Sequence, residues 1–199
     1  MDDDTATEIL EATSRALCQH GYADLTLKDI ADEADRSKAA IHYYYDSKEN
    51  LFLEFLDFLY ERYTAQLPAV DGGTPRDQFY TLLETALTDE EAAPAQEYQT
   101  ALLEVTAQAP YNDAIQTRLV SFDDLLFERA REIITAGVEM GEFDETVEPA
   151  VAAEFLMTAI TGAHTRRVAI DQPSERSYEA ITQYAERYFL ADELSEATH

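Results

Sequence analysis

Between positions 26 and 48 the sequence gathers side chains suited to gripping a polyanion: Thr26, Lys28, Ser37, Lys38, His42, Tyr43, Tyr44 and Lys48. Their hydroxyl, phenol, imidazole and ammonium groups donate hydrogen bonds to phosphate oxygens and to acceptors on base edges. Ala39 and Ala40 lie among them, small enough for close approach and carrying methyl groups that can touch a thymine methyl. The chain has only three lysines, and all of them fall within residues 25–50. That window holds six acids and four bases, whereas residues 51–199 hold 29 acids and nine bases. A local relief of negative charge in so acidic a chain marks a phosphate-facing surface.

The elements that must position these groups can be read from spacing. Thr26-Leu27-Lys28-Asp29 has a hydroxyl at the N-cap and a carboxylate three residues on, a capping-box start. Leu27, Ile30, Ala31 and Ala34 then follow at helical intervals. Asp35-Arg36-Ser37 breaks the helix, and a second short helix runs from Lys38 to Tyr45 with Ile41 and Tyr45 facing inward. Its outer face is Lys38, Ala39, His42 and Tyr43, with Tyr44 at the border. Two short helices joined by a three-residue turn have helix-turn-helix geometry, which lodges the second helix in a DNA major groove. A helix before this unit carries Ile9, Leu10, Thr13 and Leu17 on one face and stops at Gly21. Ser47 caps a long helix after it, with Leu51, Phe52, Phe55, Leu56, Leu59 and Tyr63 as its apolar stripe. Lys48 falls in the first turn of that helix, where a cation opposes the helix dipole and a bound anion would justify it.

Beyond a linker at 68–75 (PAVDGGTP), further helices are predicted at about 76–88, 95–109, 111–140, 149–169 and 175–191. No stretch shows sustained alternation between apolar and polar residues, so the fold class is all-α, of about nine helices. The expected division is a DNA-binding domain at 1–64, with the motif at about 26–45, and a second helical domain at 65–199. On the late helices, Ala152, Leu156, Ala159 and Ala163 share one face, and Tyr178, Ile181, Ala185 and Tyr188 share another. These faces either pack within one chain or meet a second copy in an isologous four-helix bundle.

Composition limits the alternatives. Acids outnumber bases 41 to 14, giving a net charge of −27, with apolar residues at 46%. That supports a packed interior, and it suits either molar salt, where the Debye length is about 3 Å, or a surface that binds cations or basic proteins. Cys18 is the one cysteine and reads as a small buried hydrophobe, with no internal disulfide to make. HExxH, paired CxxC, GxGxxG and P-loop patterns are absent from the sequence. The expectation is therefore no metal, no cofactor and no catalytic site. No apolar run approaches the roughly 20 residues of a spanning helix, and Met-Asp-Asp-Asp reverses a signal peptide's basic start. A cytoplasmic protein without membrane contact is the expectation.

The run from Gly21 to Leu51 resembles the DNA-binding domain of the TetR family of transcriptional regulators. It carries Gly21-Tyr22, Thr26, Ile30-Ala31, Ser37-Lys38, Ile41-His42-Tyr43-Tyr44-Tyr45 and Ser47-Lys48-Glu49-Asn50-Leu51 in the family's order and spacing. The resemblance implies phosphate contacts from Thr26, Tyr43, Tyr44 and Lys48, and base-edge or groove contacts from Lys28, Lys38, Ala39, Ala40 and His42. Two positions depart from the pattern: Asp35 stands where the family usually has a turn glycine, and His42 where it has a tyrosine. The resemblance further implies a homodimer on a palindromic double-stranded operator, a repressor released by a small-molecule effector. It places an effector cavity among the aromatics, with Phe79, Tyr98, Phe122, Phe127, Phe155 and His164 as candidate lining, and favours dimerisation through Leu156, Ala159, Ala163, Tyr178, Ile181, Ala185 and Tyr188. It implies that the helix from Ser47 to Leu67 bridges both halves and transmits the effector's signal. The competing reading is an all-α small-molecule carrier or enzyme that does not bind DNA.

Overall fold

The first helix, α1 (Asp2–Asp24), does not stop at Gly21 but kinks there, where the backbone adopts φ 69 and ψ 166 and one more helical turn follows. The structure is a computed structural model, and it describes residues 2–66, 73–87 and 95–191. Then come α2 (Leu27–Glu33), α3 (Lys38–Tyr44), α4 (Lys48–Gln66), α5 (Pro75–Leu87), α6 (Ala95–Thr106), a 3-10 turn (Ala109–Tyr111), α7 (Asp113–Glu139), α8 (Pro149–Ile170) and α9 (Ser174–Tyr188). Among the described residues there is no strand, and an isolated antiparallel bridge joins Phe143 to Leu190. No helix among them is long and apolar enough to cross a membrane.

The chain divides into two compact units: Met1–Gln66 with Ala93–Ser121, and Leu67–Ala92 with Phe122–His199. In the first, Ile9 and Leu17 of α1, Ile30 of α2, Ile41 of α3 and Leu51, Phe52 and Phe55 of α4 are buried together. Val105 of α6 and Ile115 of α7 complete that core. The apolar stripe expected on α4 is the buried one as far as Leu59, which is half-buried; the side chain of Tyr63 lies outside the described residues. Truncating a ring as enclosed as Phe55 (1% exposed) costs about 3–5 kcal/mol. The whole of α4 as described lies in the first unit, and Leu67, the end expected for it, lies outside the described residues. The helix with residues in both is α7, divided between Ser121 and Phe122.

The second unit packs α5, the later part of α7, α8 and α9 around Phe79, Leu82, Leu83, Ile133, Ile134, Phe143, Leu156 and Ile160. The turn at Gly141–Phe143 fastens it. Glu142 accepts a hydrogen bond from the Arg76 backbone N–H at 2.8 Å, supplying an acceptor for the first turn of α5. Phe143 swings back over Gly137, where a Cβ would lie 1.9 Å from the ring, so only glycine fits.

Candidate nucleic-acid interface

Local capping builds the helix-turn-helix. The Asp29 carboxylate accepts from the Thr26 backbone N–H at 2.9 Å and from the Thr26 hydroxyl at 2.6 Å, and that hydroxyl accepts from the Asp29 N–H at 3.3 Å. These bonds hold the Asp29 carboxyl below its ordinary range and start α2 one residue after Thr26. Asp35 takes the left-handed conformation at φ 51, turning the chain where a glycine is expected. Arg36 N–H then bonds the Ala31 carbonyl at 2.9 Å, and the Arg36 guanidinium reaches Glu8 at 2.5 Å. Ser37 caps α3 by accepting from the Ala40 N–H at 3.1 Å. Behind the unit, Arg15 and Gln19 of α1 donate to the Glu33 carboxylate at 2.8 and 3.1 Å.

This scaffold buries Ile41 completely and Tyr45 nearly so, leaving Lys38, Ala39 and His42 exposed, Ala40 and Tyr44 half-buried, and Tyr43 at 80% exposure. The Tyr43 and Tyr44 rings meet edge to face at 5.2 Å, which holds the outer phenol away from the core. From Lys38 to Tyr44 there is no carboxylate. An exposed, unacidic helix face with a lysine, an imidazole and two phenols offers donors to phosphates and base edges. Lys28 is exposed on α2.

Two of the expected DNA contacts also have partners within the protein. The Thr26 hydroxyl proton goes to Asp29. Lys48 is half-buried, donates to the Tyr22 carbonyl at 2.9 Å and lies 5.0 Å from the centre of the Tyr22 ring. Burial pushes its ammonium below the ordinary lysine value, against the pull of the Asp24 and Asp29 carboxylates. A cation in the first turn of α4 is thus explained by the carbonyl it meets. On the other side of that residue, the Tyr22 N–H donates to Glu104 of α6 at 2.6 Å, a contact with no signature in the sequence.

In the second unit, four of the residues expected to face a partner are core: Leu156, Ala163, Ile181 and Ala185 are buried inside this chain. Ala159 and Tyr178 pack half-buried against the same core. The large apolar side chains that α8 and α9 expose are instead Val151, Phe155, Ile170, Tyr184 and Tyr188, the last being the one member of the expected set among them. The Phe155 and Tyr184 rings stack at 4.7 Å, and Tyr184 and Tyr188 lie 4.7 Å apart.

The residues expected to line a cavity also separate. Phe79 is fully buried, edge to face with Phe143 at 5.5 Å, and serves the core. Phe127 is half-buried against that core and Phe122 half-buried. Phe155 lines an open groove of about 370 Å³ with Thr146, Glu148, Val151, Tyr184 and Tyr188. His164 places Nε2 2.8 Å from the Ala86 carbonyl, and burial holds its imidazole below the ordinary value. The Tyr98 side chain lies outside the described residues. No group of three or more His, Cys, Asp or Glu side chains among the described residues is placed to hold a metal.

Comparison with known proteins agrees with this geometry. Residues 9–55 match the family model described as bacterial regulatory proteins, tetR family. Residues 75–190 match that of the BetI-type transcriptional repressor C-terminal region. The crystal structure of a TetR transcription regulator from Haloarcula marismortui is 36% identical, with a TM-score of 0.86 over 94% of this chain and 99% of that one. The repressor AcnR of Corynebacterium glutamicum is 24% identical over 80% of this chain and 79% of its own length. A regulator from Saccharomonospora viridis, crystallised with choline, shares the fold at a TM-score of 0.82 and 21% identity, over 96% of this chain and all of that one. This chain therefore belongs to the TetR family of transcriptional regulators: it is a ligand-responsive DNA-binding protein.

Proposed function

We propose that the chain is a repressor that binds a palindromic operator as a homodimer, reads it through α3 and is released by a small molecule. The observation that carries the reading is the outer face of α3, with Lys38, Ala39, His42 and Tyr43 exposed and no acid among them, in a chain of net charge −27. Lys38 and His42 are assigned to base edges, Ala39 and Ala40 to close approach, and Tyr43 and Tyr44 to phosphates. Lys28 and the Ser37 hydroxyl meet the backbone beside them. Lys48 and Thr26 act indirectly, by holding the corner and the cap.

A single α3 reads only a few base pairs, so specificity requires a second copy with its reading helix about 34–36 Å away. The aromatic surface of Val151, Phe155, Tyr184 and Tyr188 is the assigned pairing face, because an exposed cluster of rings gains most by being covered. Replacing Phe155 and Tyr188 together by Glu should leave a folded monomer in sedimentation, with operator affinity lost. A variant that stays dimeric would move the interface elsewhere.

The operator can be found by affinity selection from random duplexes in high salt, followed by footprinting. The expected product is an inverted repeat with half-sites one helical turn apart or a multiple of it. Recovery of no enriched sequence would refute the assignment. Choline is the first compound to test for release, since the Saccharomonospora viridis protein was crystallised with it.

A further inference from the structure

We propose that Glu104 is a positioning residue through which α6 holds the α1–α2 corner and so sets the orientation of the helix-turn-helix. The inference rests on α3 being the DNA-reading element and assigns how that element is held.

The argument begins at Gly21. Its φ of 69 and ψ of 166 interrupt the helical ladder of α1, so the next N–H, that of Tyr22, needs an acceptor from elsewhere. Glu104 supplies it at 2.6 Å, from a helix 82 residues further along the chain. The carbonyl of the same residue accepts from Lys48 Nζ at 2.9 Å. One residue is therefore gripped on both sides, by a carboxylate of α6 and an ammonium of α4. Its ring is fixed as well, lying edge to face with Phe52 at 4.7 Å and beneath Lys48.

Gly21 is required for this clasp twice over. Its dihedrals favour glycine, and a Cβ there would lie 2.8 Å from Glu104 Oε2 and 3.0 Å from Oε1. The glycine that kinks α1 also clears the path for the carboxylate. Next to Glu104, Val105 is buried at 1% exposure in the core formed by α1 to α4. The apolar anchor fixes the depth of α6, and the hydrogen bond fixes its register against the corner, because its geometry tolerates little misalignment. From that corner the chain runs directly into Thr26 and α2, so the Glu104 clasp links α6 to the start of the reading unit.

The test uses the full chain and an operator duplex obtained by selection. Coupling is reciprocal, so if α6 positions the reading unit, DNA binding must alter α6. In wild type, adding duplex should change amide exchange in residues 95–106 as well as in α1 to α3. In Glu104→Ala the change in α6 should vanish while that in α1 to α3 persists, with affinity weaker by about fivefold or more. Glu104→Asp keeps the charge but is too short, and should behave like Ala; Glu104→Gln keeps an acceptor at the same reach and should behave like wild type. A merely structural staple would lower thermal stability in the Ala variant yet leave the α6 response intact, and that result overturns the proposal. So does a wild type whose α6 ignores the duplex, or a Gln variant that behaves like Ala. Should Ala fail to fold, Asp and Gln decide the matter alone. A wild type that binds no selected duplex would instead refute the DNA-reading assignment.

Discussion

The dependence of operator binding on salt follows from a count of cations. Arg15 and Arg36 are engaged by Glu33 and Glu8, and Lys48 by the Tyr22 carbonyl. That leaves Lys28 and Lys38 as exposed lysines on the reading unit, four per dimer. Lys38, reading base edges from within the groove between the two phosphate strands, displaces counterions as Lys28 does at the backbone; each such charge contributes about −0.9 to the slope of log K against log salt, so four lysines give about −3.6 and six, with Lys48 included, about −5.4. Over a tenfold rise in KCl the difference is nearly two decades of affinity. The remaining contacts are then neutral donors, Ser37, Tyr43 and Tyr44, which release no counterions. Fluorescence anisotropy with a selected duplex, titrated from about 0.2 to about 2 M KCl, should give a slope no steeper than about −3.6. Lys38→Met should flatten it by about 1.8, whereas Lys48→Met should lower affinity with the slope nearly unchanged. A wild-type slope of about −5 or steeper, or equal flattening by both variants, would refute the count.

Other substitutions test the scaffold. Asp35→Gly removes the strain of φ 51 and should raise stability by about 1 kcal/mol in denaturant unfolding; an unchanged midpoint would contradict the strain. Gly137→Ala forces a methyl into the Phe143 ring and should cost about 3 kcal/mol, read as a lower melting temperature. His164 is held neutral in the fold mainly by burial, so its folded pKa lies below its unfolded value near 6.5. Unfolding then takes up a proton, and stability falls as pH drops from about 6.5 toward the folded value, by at most about 1.4 kcal/mol per pH unit. His164→Gln keeps a donor for the Ala86 carbonyl and should flatten that part of the profile.

What the sequence discloses is what local chemistry decides. The Thr26–Asp29 cap, the three-residue turn and the inward Ile41 and Tyr45 are legible because each depends on neighbours within a few positions. Which apolar side of α8 is core is not legible in the sequence. Helix α8 carries apolar residues on both sides, Leu156 and Ile160 inward and Val151 and Phe155 outward, so periodicity alone does not say which side this chain buries. The acceptor that Lys48 meets within the chain, the Tyr22 carbonyl, is hidden from the sequence because it lies beside a kink that depends on the backbone of Gly21. Glu104 is one of 41 acids and meets its partner only through tertiary packing. The aromatics behave alike: Phe79 and Phe155 have the same side chain, and only the packing makes one core and the other surface.

The central claim is that the outer face of α3 enters DNA. The most direct measurement is the affinity of Lys38→Ala/Tyr43→Ala for the selected operator, taken beside its circular dichroism and sedimentation. Both side chains are exposed and outside the core, so fold and dimer should be retained while specific binding falls to the level of random duplex. Operator affinity within about threefold of wild type, less than one kcal/mol, would contradict the account.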